Sequence, residues 1–274
     1  MELQQKEGES RSYAVGKAPA YPKDPLIGKK LVLSDRTIPL NGVITGKTAD
    51  SIADRISYFN NRDPEAPIFI VIDDCPGGSV MAGYKILKAM HGSTAPVYTV
   101  VKSMAASMAA CITTCAKRSF AYPNAVILHH QLSSIGMGNL TQQKEGVKQL
   151  EEWWKRLAEP VAQKMGLSRE DFIKRMYVES STGDWTEFGD NAAKLKWVDV
   201  IVDEIVETAQ VRHPDAVSPL NPASPQRSSL PGMPTQSELT EGKDDHGRPT
   251  AVLPRLNPLD AYWLFNPDGY YRMP

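Results

Sequence analysis

Residues 67–90 run Pro67-Ile-Phe-Ile-Val-Ile72, Asp73-Asp-Cys75, Pro76-Gly-Gly-Ser79 and Val80-Met-Ala-Gly-Tyr-Lys-Ile-Leu-Lys-Ala-Met90. The first block is a short β-rich apolar run of the kind buried on both faces of a sheet. Two glycines behind a proline make a turn, and they let backbone N–H groups approach a ligand closely. The last block carries apolar residues at helical spacing. Strand, turn and helix in immediate succession form a crossover unit.

The same pattern continues on both sides. Upstream, Thr48 is expected to cap a helix with Ile52, Ile56 and Phe59 on one stripe. Downstream, Pro96-Val-Tyr-Thr-Val-Val101 reads as the next buried strand, and residues 104–115, nearly all small or apolar, as a buried helix. Ser119-Phe-Ala-Tyr122 and Ala125-Val-Ile-Leu128 read as two further strands around a Pro123-Asn124 turn. A long helix is expected over 140–165, with Leu140, Val147, Leu150, Trp154, Leu157, Val161 and Met165 on one stripe and a kink at Pro160. Ser168-Arg-Glu-Asp171 resembles a capping box and starts another helix. Strands alternating with helices place the chain in the α/β class with a largely parallel sheet.

The chain has 274 residues, 41% of them apolar and 23% charged, enough to bury a core. A net charge of -1 gives no reason to expect nucleic acid or an acidic membrane as partner. No apolar run reaches the roughly 18 residues of a membrane span. The polar, acidic start, Met1-Glu-Leu-Gln-Gln-Lys-Glu-Gly-Glu9, does not look like a signal or transit peptide. Three cysteines, Cys75, Cys111 and Cys115, are too few for a disulfide framework, so a cytoplasmic protein is expected. Proline divides the chain: residues 207–274 hold 11 of its 21. Three regions are therefore expected: an irregular N-terminal arm over 1–35, a folded domain over 36–206 and a proline-rich tail over 207–274. Within the tail, about 207–250 reads as a linker. Tyr262, Trp263, Leu264, Phe265, Tyr270 and Tyr271 then crowd together and are expected to dock on the body or on a neighbouring subunit, with a solvated appendage as the alternative.

Three places have residues suited to chemistry. Ser107, in Met104-Ala-Ala-Ser-Met-Ala-Ala110, follows a buried strand at a helix start, among small neighbours. A serine in such a window is ordinarily a satisfied helix hydroxyl; at this junction it is also a candidate nucleophile. His129-His130-Gln131 closes the strand from Ala125. Either histidine alone would ordinarily be structural, and adjacent strand residues point to opposite faces, so only one of them can look toward the serine. No zinc site is expected, because Cys111 and Cys115 lie in an apolar helix without a second ligand pair. The Gly77-Gly78 turn lacks the ending of a phosphate loop.

In this order, Pro76-Gly-Gly-Ser-Val80, Ala105-Ala-Ser-Met108, Tyr122-Pro-Asn124 and Ile127-Leu-His-His-Gln131 resemble the proteolytic subunit of the ATP-dependent Clp protease, in the superfamily shared with crotonases. The likeness covers about residues 30–203. It implies repeated β-β-α units with a protruding handle helix, and a serine endopeptidase that degrades unfolded polypeptides to short peptides. In that register Ser107 is the nucleophile, His130 the base, and the N–H groups of Gly78 and Met108 form the oxyanion hole. The acid is sought by counting back from Lys196-Trp-Val-Asp199, which lands on Asp184, with Asp190, Glu179 and Asp171 as rivals. No cofactor or metal is implied; ATP belongs to the partner unfoldase, since no Walker loop is present. The resemblance also implies a homo-oligomer, a heptameric ring or a pair of stacked rings.

The chain departs from the family at Ser103 and Ala109, which replace glycines beside the serine, and at Leu132 and Ser133, where Pro-Leu-Gly-Gly is usual. Gly183 stands where an arginine is common, residues 169–183 are longer, and the tail has no counterpart. Two alternatives stay open: a catalytically weak, structural ring subunit, and an acyl-CoA hydratase or isomerase on the same fold.

Overall fold

The computed structural model describes residues 20–133, 138–209 and 239–274. Most of the expected arm, residues 134–137 of the altered stretch after Gln131, and most of the expected linker lie outside the described residues.

Fifteen strands and six helices are described. The central sheet has seven strands: β3 (Thr37–Pro39), β4 (Ile68–Cys75), β6 (Val97–Ala106), β7 (Ser119–Ala121), β8 (Val126–His129), β9 (Trp185–Phe188) and β10 (Val200–Ile201). The remaining strands are β1 (Leu26–Ile27), β2 (Lys30–Leu33), β5 (Gly77–Ser79), β11 (Glu204–Glu207), β12 (Thr240–Lys243), β13 (Pro249–Val252), β14 (Tyr262–Leu264) and β15 (Tyr271–Arg272). The helices are α1 (Gly46–Arg62), α2 (Val80–Gly92), α3 (Met108–Thr114), α4 (Leu140–Met165), α5 (Arg169–Glu179) and α6 (Gly189–Lys194).

The sheet is parallel throughout except for β9, which runs antiparallel to β8. The strand β6 is long enough to serve two neighbours on one side. Its first half, Thr99–Val101, pairs with β7, and its second half, Met104–Ala106, with β8. That division brings the end of β8 to the end of β6, where the serine stands. Helix α1 lays Ala49, Ile52 and Ile56 into the core, and α2 adds Val80, Ile86, Leu87 and Met90. Burying each of the larger side chains contributes about 1.5–3 kcal/mol.

The structure revises several expectations. The cap of α1 is Thr45, whose side chain accepts from the Thr48 N–H; Thr48 already lies inside the helix. Residues 104–106 are strand, and the helix begins only at Met108. Small apolar residues have no period to separate the two states, and pairing with β8 decides for strand. The long helix keeps its expected ends, with an Asn139 capping box and Gly166 in a left-handed C-cap. Its stripe is only half buried: Trp154, Leu157 and Val161 pack inward, whereas Leu140 is 69% and Val147 55% exposed. Strands β1 and β2 fall inside the expected irregular arm, where β2 pairs with β11.

The tail reading changes most. The hairpin β12–β13 begins within the expected linker and runs just past its end, and β15 joins it to make a small sheet. The strand β14 leaves that sheet and pairs antiparallel with β5. Its place is the edge beside Ser107. No helix among the described residues is long and apolar enough to cross a membrane.

Candidate active site

β6 ends at Ala106 and α3 begins at Met108, so Ser107 alone forms the corner, at φ 59° and ψ -120°. A side chain at positive φ costs on the order of 1–3 kcal/mol and persists only where its surroundings enforce it. Here the enforcement is the Ser107 N–H, which donates to the Leu128 carbonyl of β8 at 2.8 Å.

The same pairing delivers the histidines. Ser107 Oγ stands 2.7 Å from His130 Nε2, within hydrogen-bond length. His129 points the other way, as strand alternation requires. Its Nε2 lies 3.1 Å from Thr114 Oγ1, and its ring packs edge-on against Trp197 and Phe172. Burial, and secondarily the neighbouring His130, push its pKa down from 6.5 to about 3. His129 is thus a neutral core residue, and His130 is the histidine brought to the serine.

Asp184 stands on the far side of the His130 ring, with Oδ1 3.9 Å from Nδ1, within ion-pair range but beyond hydrogen-bond length. Its other oxygen accepts from Thr182 Oγ1 at 2.8 Å. Gly183 makes the turn that places it, at φ 79°, with the Tyr177 ring packed where a Cβ would project. A side chain at position 183 would therefore sit on strained backbone and push the Tyr177 ring aside. The three rivals are engaged elsewhere: Asp171 with Ser168 and Lys174, Glu179 with Arg175, and Asp190 with the Asn191 N–H.

Gly77 and Gly78 bring backbone to the same point at φ 99° and 155°. A Cβ on Gly78 would stand 2.3 Å from the Ile44 carbonyl oxygen, and one on Gly77 would stand 3.0 Å from the Met108 nitrogen. Neither site tolerates a side chain, and the turn lies against the first N–H of α3. The N–H groups of Gly78 and Met108 thus belong to the two segments that flank Ser107.

Burial holds the His130 imidazole below its ordinary 6.5; the Asp184 charge, and then a backbone hydrogen bond at Gln131, pull upward without cancelling it. The ring is neutral at neutral pH, the state needed to accept a proton. The acid limb of a peptidase profile is therefore expected below pH 6.5. In Asp184→Asn the upward pull disappears, so that limb moves to lower pH still, while turnover on the plateau falls by about 10³–10⁴ because an amide favours the wrong tautomer. A limb that moves upward, or a loss below threefold, would remove Asp184 from the site.

Sequence reasoning missed Thr182, the partner that steadies Asp184, and Asp260, which reaches Ser79 and Met81 from the tail. Nothing in the pattern around either signals the contact. A cavity of about 520 Å³ opens beside His130 and Asp184, walled by Ser133 and by Leu253, Leu264 and Phe265 of the tail.

The sequence matches the family described as Clp protease over residues 27–187. It is 38% identical over 117 residues to "ATP-dependent Clp protease proteolytic subunit 1" of Chlamydia pneumoniae, covering 42% of this chain and 60% of that one. It is 35% identical over 113 residues to "ATP-dependent Clp protease proteolytic subunit" of Ligilactobacillus salivarius, covering 40% and 57%. The similarity to the protein of the same description in Streptococcus mutans extends further, 30% identity over 186 residues, 66% of this chain and 89% of that one. The chain thus spans under two thirds of the length of the first two relatives and most of the third.

Proposed function

The chain belongs to the Clp protease family, and from that membership and the site geometry we propose that it is a serine endopeptidase, the proteolytic subunit of a Clp-type protease. The 2.7 Å contact between His130 Nε2 and Ser107 Oγ carries the proposal. His130 takes the hydroxyl proton as Ser107 attacks a peptide carbonyl, and returns it to the leaving amine. Asp184 stabilises the imidazolium. The N–H groups of Gly78 and Met108 receive the oxyanion. Water then hydrolyses the acyl-enzyme by the same proton path. Labelling with a fluorophosphonate tests the reading: Ser107 is expected to carry the adduct, and a hydratase or a dead ring subunit would carry none.

Its substrates in this reading are polypeptides unfolded and delivered by an ATP-driven partner, which is supported by the description of the relatives as subunits of an ATP-dependent protease. The exposed Leu140 and Val147 on the first half of α4 support self-association, because that half of the apolar stripe is uncovered in one chain. Mass photometry at micromolar concentration is expected to show a ring-sized particle; a peak at 30.2 kDa would sink this part.

A further inference from the structure

The edge of β5 next to the serine is occupied by the chain's own C-terminus. β14 runs antiparallel to β5 with Tyr262 opposite Ser79, Trp263 opposite Gly78 and Leu264 opposite Gly77. On one side of this register the Val80 N–H donates to the Ala261 carbonyl at 2.8 Å, and on the other the Phe265 N–H donates to the Pro76 carbonyl at 2.8 Å. Hydrogen-bonded pairs alternate along an antiparallel ladder, so the pair between these two, Trp263 and Gly78, exchanges its own bonds. The Trp263 carbonyl is thereby directed at the Gly78 N–H, one of the two groups assigned to the oxyanion. A Cβ built on Gly77 confirms the crowding: it meets the Trp263 carbonyl oxygen at 2.4 Å, Ser107 Cβ at 2.8 Å and the Met108 nitrogen at 3.0 Å.

Both ends of the strand are tied. Asp260 accepts from Ser79 Oγ at 2.5 Å and from the Met81 N–H at 2.8 Å, and the Trp263 indole donates to the His130 carbonyl at 2.9 Å. The indole is fully buried, edge-on to Trp154 and tilted against the His130 ring. Ser107 is left with no accessible surface.

We propose that residues 260–265 lie in the peptidase cleft as a substrate strand would, with Trp263 in the place of the residue whose carbonyl is attacked. The inference rests on the serine-peptidase reading for the name of the cleft. The β5 edge is then a peptide-binding site. Its occupant defines the ligand class: an extended segment, aromatic next to the serine and acidic three residues earlier. A polypeptide substrate has to displace this strand before Ser107 can act.

The test compares the full chain with the full-length double variant Asp260→Ala, Phe265→Pro. These changes remove the anchor on Ser79 and Met81 and the bond to Pro76, and leave the buried indole in place. Fluorophosphonate labelling of Ser107 is expected to run at least tenfold faster in the variant. Amide exchange at Gly78 and Val80 is expected to accelerate by a similar factor, with the β4–β6 ladder unchanged. Equal labelling rates in two reactive chains overturn the proposal and leave the peptidase reading standing. If neither chain labels, the peptidase reading falls, and exchange alone decides whether the strand covers this edge: unchanged protection at Gly78 and Val80 overturns it. Should the double variant lose β4–β6 protection, Asp260→Ala alone is used, with at least threefold faster labelling and exchange expected and no change in either counting against the proposal.

Discussion

Ser107→Ala is expected to lower hydrolysis of a fluorogenic peptide by at least three orders of magnitude and to abolish fluorophosphonate labelling. In the proposed reaction this hydroxyl forms the acyl bond, and it stands 2.7 Å from His130 Nε2. The fold should survive, because alanine meets the same strain at φ 59° that serine already bears. The cost is a buried His130 nitrogen without its partner, about 1–3 kcal/mol. Measuring turnover in both the native chain and the Asp260→Ala, Phe265→Pro background separates a silent serine from a covered one. More than a tenth of the parental activity remaining in both backgrounds would end the serine-peptidase reading.

The second large effect separates two adjacent histidines. His130→Ala should reduce turnover as far as Ser107→Ala does, and the double variant should be no worse, because nucleophile and base act as a unit. His129→Ala should act on stability. Its ring fills a fully buried space against Trp197 and Phe172, and removing it leaves a cavity worth about 2–5 kcal/mol by analogy with other large-to-small core changes. The folded fraction of that variant should keep most of its activity. The reverse pattern, with His129→Ala inactive though folded and His130→Ala active, would shift the register of the site by one residue.

Much of this arrangement is legible in the chain itself. The run Pro67–Ile72, the Gly77-Gly78 turn and the helix after it specify a crossover unit through periodicity and turn chemistry, which are local properties. The ends of α4 are local too: Asn139 caps one end and Gly166 stops the other. Ser107 at a strand-to-helix corner and a histidine pair at the end of the second strand after it could be found in order along the sequence, because each is a short motif with its own spacing.

The remainder depends on contacts between distant segments. Residues 104–106 are strand because β8 pairs with them, although their composition suits a helix equally well. Asp184 meets His130 only through the Thr182–Gly183 turn, and no local feature set it above Asp171, Glu179 or Asp190. The aromatic crowding at 262–271 pointed to burial of the tail, since five large rings left in water are unfavourable. Where it is buried was decided by the open edge of β5. An open edge offers unpaired backbone N–H and C=O groups, and those groups are the same in every residue type but proline. Pairing of β14 with β5 therefore left no mark in the sequence, and only the folded chain, bringing Trp263 beside Gly78, set a strand from its far end across its own serine.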